Sequence, residues 1–320
     1  MALEQDKFLG LAGATGAVSF RTDVPTSVVR TRYVGACQYE PSTSTFPDYL
    51  GPMSVGDDGA VYFQLYNQSV DWTISDCPPG QASTGVFSYT TDLFLARLAA
   101  DGALTKQLIY RYVQPPTSTS DGGATQRISQ PGPSTPDGQG GILASWDLYT
   151  FSSNPTTLEA HVTRVSSAID DHVVAPRFGP GGPPPNLFTN SPLAFVGDNG
   201  TAYLQDPSGV TALNAATWTT VWSSPDQGKV VAAHQDGGAT LLRSDGMLQK
   251  RDAQGVATNL GMLGVSDPVQ TRLGLWSGMA NGVLTSVWGP AVSESVFAFD
   301  AALDPGDGVP SGSCSGGWCG

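Results

Sequence analysis

The sequence predicts an all-β fold: a β-propeller of four-stranded antiparallel blades, with six blades as the best count. Three observations predict it. Apolar runs are short and end at Asp-Gly, Pro or Asn turn signals. The 39 Gly and 24 Pro among 320 residues supply turns for many strands. One strand-turn pattern also recurs along the chain, as it does in ring-shaped repeat folds. Apolar residues make up 40% of the chain and charged ones 13%, so a large core can form and disorder throughout is excluded.

The clearest unit runs from 193 to 224. LAFVG (193–197), TAYLQ (201–205), VTALN (210–214) and TTVWSS (219–224) each read as a strand, with DNG, DPSG and AATW between them as turns. Alone, such a meander exposes both faces of its sheet, so it must stack on another element. MSVGDDGAVYFQLY (53–66) begins almost as AFVGDNGTAYLQ does, and VVAAHQDGGATLLRSDGMLQKRDAQG (230–255) repeats strand, Asp-Gly turn, strand. GGILASW (140–146) and NGVLTSVWGP (281–290) have the character of the unit's second strand. Late in the chain these units recur about every forty residues, the period of a propeller blade; earlier gaps are longer and imply insertions.

The insertions differ in composition. Segments 76–85, 114–139 and 178–186 are rich in Pro, Gly, Ser and Thr and read as long loops. They interrupt the pattern without ending it, giving one domain over 1–308 and a flexible Gly/Ser/Cys tail over 309–320. TDLFLARLAADG (91–102) has a helical composition, yet its alternation fits a strand running into an Asp-Gly turn equally well. At the ends, 6–25 resembles the last two strands of a unit and 295–308 a third strand with its turn. Such ends can close a ring by pairing in a shared blade, which removes sheet edges; they also fit a fragment of a longer protein.

The formal charge of −13 is spread through single Asp residues, many in turns. That field repels nucleic acid and anionic membrane surfaces. No run approaches the roughly 20 apolar residues of a membrane span. The first twenty residues carry Glu4 and Asp6 where a secretory signal carries basic residues, so no signal peptide is read there. A protein or glycan partner is expected, and a monomer.

Cys37 and Cys77 fit either free structural thiols or a disulfide, whereas Cys314 and Cys319 sit in a polar segment unsuited to buried thiols. Two bonds, 37 to 77 and 314 to 319, are expected, which implies an oxidising, extracytoplasmic compartment. A zinc site would need a second Cys or His pair beside Cys314 and Cys319, but His161, His172 and His234 are isolated in sequence. No G-x-S-x-G elbow, H-E-x-x-H or phosphate loop occurs. Candidate carboxylates by type are Asp71 before Trp72, Asp147 after Trp146, and the pair Asp170 and Asp171; the competing reading makes each a solvated turn or strand-edge residue.

GTAYL, ALNAAT and the strand ending at Trp222, echoed by GLAGATGAVSF at Phe20 and VFAFDAAL (296–303), together resemble the pyrroloquinoline-quinone-type β-propeller repeat. That resemblance implies that the aromatic ending the outer strand, Trp222, packs between neighbouring blades. Trp146, Trp276 and Trp288 take the same role or line a binding face. The quinone enzymes of this superfamily hold their cofactor against calcium, under a disulfide of adjacent cysteines. This chain has no adjacent cysteines and no evident Glu, Asn and Asp calcium set, so the implied member is non-catalytic, with no cofactor, metal or catalytic residue assigned. The expected function is a binding or scaffold module of a larger extracytoplasmic protein, with contacts carried by the loops at 76–85 and 114–139. The alternative is a glycan-acting hydrolase with carboxylates gathered at the propeller mouth.

Overall fold

The computed structural model describes residues 2–4, 7–11, 15, 17–34, 40–51, 53–56, 58–76, 84–118, 126–137, 140–151, 157–176, 194–196, 200–206, 209–226, 228–234, 237–243, 245–262, 272–280, 283–289 and 295–300. These residues form six sheets and, among them, no helix. The first sheet is β1 (Ala2–Glu4), β2 (Lys7–Leu11) and β3 (Val18–Asp23). The second has seven strands: β4 (Thr26–Tyr33), β5 (Ser42–Pro47), β6 (Tyr49–Leu50), β7 (Ser54–Val55), β8 (Val61–Asp76), β9 (Thr84–Leu98) and β10 (Leu104–Ser118). Its order is β10-β9-β8-β4-β5, with β6 and β7 also paired to β8.

Four-stranded meanders follow. The third sheet is β11 (Gln126–Pro136), β12 (Ile142–Phe151), β13 (Thr157–Val165) and β14 (Ile169–Pro176). The fourth is β15 (Ala194–Val196), β16 (Thr201–Asp206), β17 (Gly209–Asn214) and β18 (Thr220–Ser224). The fifth is β19 (Gly228–Ala233), β20 (Ala239–Arg243), β21 (Met247–Arg251) and β22 (Ala257–Met262). A three-stranded sixth sheet holds β23 (Arg272–Ala280), β24 (Val283–Gly289) and β25 (Ser295–Asp300). Every pairing is antiparallel except that of β4 with β8.

The unit read from 193 to 224 is the fourth sheet, strand for strand. Turn chemistry explains the boundaries. Asn214 Oδ1 accepts from the N–H groups of Ala216 and Thr217, and Asp252 Oδ1 accepts from those of Gln254 and Val256. Both are Asx turns that reverse the chain after its third strand. The ambiguous stretch 91–102 is strand followed by the Asp101-Gly102 turn, with Ala103 N–H bonded to Asp101 Oδ1 at 2.9 Å.

Segment 114–139, expected as a loop, is mostly strand: β10 runs to Ser118 and β11 spans Gln126–Pro136. Its prolines are compatible with a sheet for a local reason. β10 and β11 are edge strands, where a missing N–H need not break the ladder. Pro115 and Pro116 fall within the register shift between Gln114 and Thr117, and Pro133 within that between Pro131 and Ser134. Segment 76–85 is bracketed by Asp76 and Thr84, and 178–186 lies outside the described residues. The ends also differ from expectation. The N-terminal stretch gains a strand, β1, and the first and sixth sheets are separate three-stranded units among the described residues.

Successive sheets bury their faces on one another. Phe8 of the first sheet packs with Met53, Phe63, Leu65 and Leu98 of the second. Tyr66 and Leu93 of the second meet Trp146 and Leu148 of the third. Leu143 and Val162 continue into Val196, Ala202 and Leu213 of the fourth, and Tyr203 and Trp222 into Val230 and Leu241 of the fifth. β23 lies against β19 and also against β7, so contacts run in chain order and return from the sixth sheet to the second.

One junction recurs. Trp222, on the last strand of the fourth sheet, covers Gly255 in the turn before β22, where a Cβ would lie 2.8 Å from the Trp222 Cβ. Phe20, on the last strand of the first sheet, covers Gly102 in the turn before β10, with the corresponding Cβ 2.8 Å from its ring. Both glycines are left-handed, at φ 80° and 88°. In the fourth sheet the equivalent turn position holds Trp218, at φ 57°, and its own ring packs into the junction with the third sheet.

Candidate functional site

Buried polar side chains, Gln64 among them, lie where the second sheet faces the third. In β8, Gln64 points at β11 and donates to Gly132 O at 3.0 Å and Ser145 O at 2.7 Å, tying the sheets together. Aromatic rings continue along this seam. Trp72 lies 5.3 Å from Phe87, Phe87 6.2 Å from Tyr89 and Tyr89 5.8 Å from Tyr112. Further along, Tyr110 lies 5.0 Å from Trp146, and Trp146 stacks on His161 at 3.9 Å and 18°.

His161 sits inside a hydrogen-bonded set that strand register assembles. Trp146 opposes His161 across β12 and β13, and Thr163 opposes Asp171 across β13 and β14. Trp146 Nε1 donates to Thr163 Oγ1 at 2.8 Å, and that hydroxyl donates to Asp171 Oδ1 at 2.6 Å. Asp171 Oδ2 meets His161 Nδ1 at 2.9 Å. The imidazole is 6% exposed, and its Nε2 has no hydrogen-bond partner; Glu159 Oε2 is 3.5 Å from it. Asp171 can hold the ring in one orientation, and Glu159 keeps an anionic oxygen before the other nitrogen.

The other sequence candidates separate. Asp147, fully buried, lies on the opposite face of β12, contrary to the solvated reading. Burial, and then the Asp147 charge, hold the Tyr149 hydroxyl well above the ordinary tyrosine range. Asp71 is exposed and paired with Arg30 at 3.4 Å. Asp170 is exposed opposite Arg164 in the β13–β14 register. His234 Nε2 lies 2.8 Å from Thr240 Oγ1. Trp222 is 5% exposed at a sheet junction, the packing role expected of it. Trp276 and Trp288 fall on β23 and β24, where only the backbone is described. Cys37, Cys77, Cys314 and Cys319 lie outside the described residues. Among the described residues no group of three or more His, Cys, Asp or Glu could hold a metal ion.

The second sheet supplies a different kind of surface. β8, β9 and β10 are 16, 15 and 15 residues long, against 11, 10, 9 and 8 for β11 to β14 of the adjacent third sheet and 3, 5 and 6 for β1 to β3 of the first. Their outer halves, joined by β4 and β5, therefore extend past the length of the neighbouring units. Alternation gives that extension one aromatic face, toward the seam, and one open face. On the open face, Arg30 and Asp71 are more than half exposed, Val86 is 40% exposed and Val113 57%. Arg111 spans Asp92 at 2.6 and 2.7 Å. No helix of the described residues is long and apolar enough to cross a membrane.

Sequence reading missed the joining of His161 to Asp171. HVTRVSSAIDDHV carried a usable signal: a hairpin turning at Ser166 to Ala168 places Thr163 opposite Asp171, with His161 two residues away on the same face.

No protein-family model and no curated protein matches the chain. Among solved structures, BamB from Moraxella catarrhalis aligns at 10% identity and TM-score 0.32, over 89% of each chain. PorZ, a bacterial surface component of the type-IX secretion system of Porphyromonas gingivalis, aligns at 14% identity and TM-score 0.27, over 50% of this chain. The alignment spans about a quarter (26%) of PorZ. The extracellular domain of BT4673, a putative one-component system of B. thetaiotaomicron, aligns at 11% identity and TM-score 0.23, over 88% of this chain and 47% of that one. Likenesses of this size do not define a shared fold or function.

Proposed function

We propose that this chain is a non-catalytic β-propeller of pyrroloquinoline-quinone-like repeats that serves as a protein-binding module in an extracytoplasmic protein. The propeller reading is supported by six sheets stacked in chain order, the return contact of β23 on β7, and the aromatic-on-glycine junctions at Phe20 and Trp222. The binding reading rests on one observation: the second sheet extends its longest strands beyond its neighbours and leaves one face open. Stacking with the other sheets does not require that length. A rigid face carrying separated valines among Arg, Asp, Ser and Thr suits a partner protein of mixed polarity.

The test places glutamate at Val86 and Val113, both solvent-facing. In crosslinking from cells that make the native protein, the wild-type chain should capture a discrete partner; the double variant should lose it while keeping its circular dichroism spectrum and Tm. Unchanged capture would remove this face as the binding surface. Release of reducing sugar ends by the purified chain would favour the glycan hydrolase instead.

A further inference from the structure

We propose that β5 is an open docking edge that takes an acidic, extended segment of a partner protein as an added strand. This rests on the reading of the second sheet as the binding surface and names what its far edge holds. β5 ends that sheet, pairing only with β4 among the described residues. Ser42, Thr43, Ser44 and Thr45 are all exposed, so neither face of the strand is covered. The register fixes which backbone groups are unused. Asp48 N–H bonds to Pro25 O, one step beyond the Thr26–Pro47 pair, so by alternation Ser42, Ser44 and Phe46 point their N–H and C=O groups at β4. On β4, Val34 N–H bonds to Ile74 O of β8, which is the complementary parity. Thr43 and Thr45 therefore turn N–H and C=O groups away from the sheet, and Pro47 adds a carbonyl.

Other edges carry devices that discourage pairing. β10 and β11 hold prolines at register shifts, β14 carries Asp170 and Asp171 and a shift of its own, and the pairings of β18 and β22 are also shifted. β5 meets β4 without a shift, and between Pro41 and Pro47 it has neither charge nor proline. Such an edge offers main-chain bonds to a strand, and nearby side chains choose which strand. Charge makes that choice here. β4 and β5 contain two arginines and no acid, in a chain of formal charge −13. Arg30 opposes Thr43, and Arg32 lies two residues further along the same face; Glu40 precedes β5 and is outside its ladder. The Arg30 link to Asp71 is long, at 3.4 Å, and solvent-exposed, which makes it weak. Arg32 is exposed and, among the described residues, unpaired. A residue paired with Thr43 falls on that same face in either strand direction, two strand spacings or roughly 10 Å from Arg30, within the joint reach of a guanidinium and a carboxylate side chain. A second copy fits less well: it brings another acidic chain, and an edge of six residues buries too little for a stable dimer.

Fluorescence anisotropy of the full chain with a dye-labelled heptapeptide of alternating threonine and glutamate tests this. Saturable binding is expected, and it should vanish when lysine replaces glutamate or when the peptide nitrogens are methylated. Thr43→Pro with Thr45→Pro removes both outward donors and no bond to β4, so binding should fall about ten-fold or more while the circular dichroism spectrum and Tm hold. Thr43→Val with Thr45→Val keeps those donors and should bind as the unaltered chain does. Arg30→Gln with Arg32→Gln should weaken binding about three-fold. Val113→Glu, on the opposite edge strand β10, should leave peptide binding unchanged, so this edge and the open face fail separately. No saturable binding, equal binding of the lysine or methylated peptide, or full binding by a folded proline variant would overturn the inference. A dimer in sedimentation that the proline variant dissolves would assign the edge to a second copy and overturn it as well.

Discussion

At Gly255 the backbone is left-handed and the Trp222 ring occupies the space a Cβ would need. Gly255→Ala should therefore destabilise the chain by about 2 kcal/mol through the left-handed penalty and the clash. Trp222→Ala should cost about 3–5 kcal/mol as a core truncation. The double variant should cost less than the sum, because the clash disappears with the ring; chemical denaturation of the four proteins checks it. Two aspartates give opposite pH signatures. Burial is the main cause holding the Asp48 carboxyl above its usual value, against donors from Ser27 and Asn67. A raised folded-state value favours the protonated form, so its stabilising effect is full below the unfolded value near pH 4 and is lost as pH rises through the folded value. Asp48→Asn should remove that loss and be no less stable than wild type at neutral pH. Asp58 is held below its usual value, first by the Arg97 guanidinium. Its contribution is present above the unfolded value and lost as pH falls through the folded one, and Asp58→Asn should flatten that acid limb. Unfolding midpoints measured across pH separate the two. The role of Trp222 could be read from its repeat position, whereas Asp48 could not, since nothing local marks an aspartate that distant strands will bury.

Among elements, the Asx and Asp-Gly turns made the fourth and fifth sheets legible, because strands of three to six residues between such turns have little alternative. The second sheet was less so. Its parallel β4–β8 pairing joins distant segments, and prolines on β10 and β11 signalled loops because their edge positions are a tertiary fact. That same pairing bears on the cysteines. Tyr33 pairs with Ile74, and Val34 N–H bonds to Ile74 O at 2.9 Å, so the strands leading to Cys37 and Cys77 run side by side in the same direction. We expect the oxidised protein to contain the 37–77 bond and the 314–319 bond. The first closes a loop of about forty residues, worth about 4 kcal/mol on the chain-entropy model, so its reduction should lower Tm clearly; loss of the second should barely register. Intact-mass analysis showing four free thiols after isolation from an oxidising compartment would rule out both.

For the whole molecule, short runs bounded by turns made an all-β chain readable from sequence, and the six sheets follow that pattern. The ring proposed above is implied in the sequence only by recurrence, since closure would depend on contacts between segments far apart in the chain. Added pyrroloquinoline quinone with calcium should neither bind stoichiometrically nor support dye-linked alcohol oxidation, because the adjacent cysteines and the evident calcium set of the quinone enzymes are missing. The central claim is that the stacked sheets close on themselves, with the sixth returning to the second. Spin labels carried by unnatural residues at Val55 on β7 and Ala280 at the end of β23 measure this directly by pulsed dipolar spectroscopy. A closed ring predicts a single short distance, about one sheet spacing of ~10 Å plus the reach of the labels. An open stack would put four spacings between the labelled sheets, and a distance near 40 Å would contradict the account.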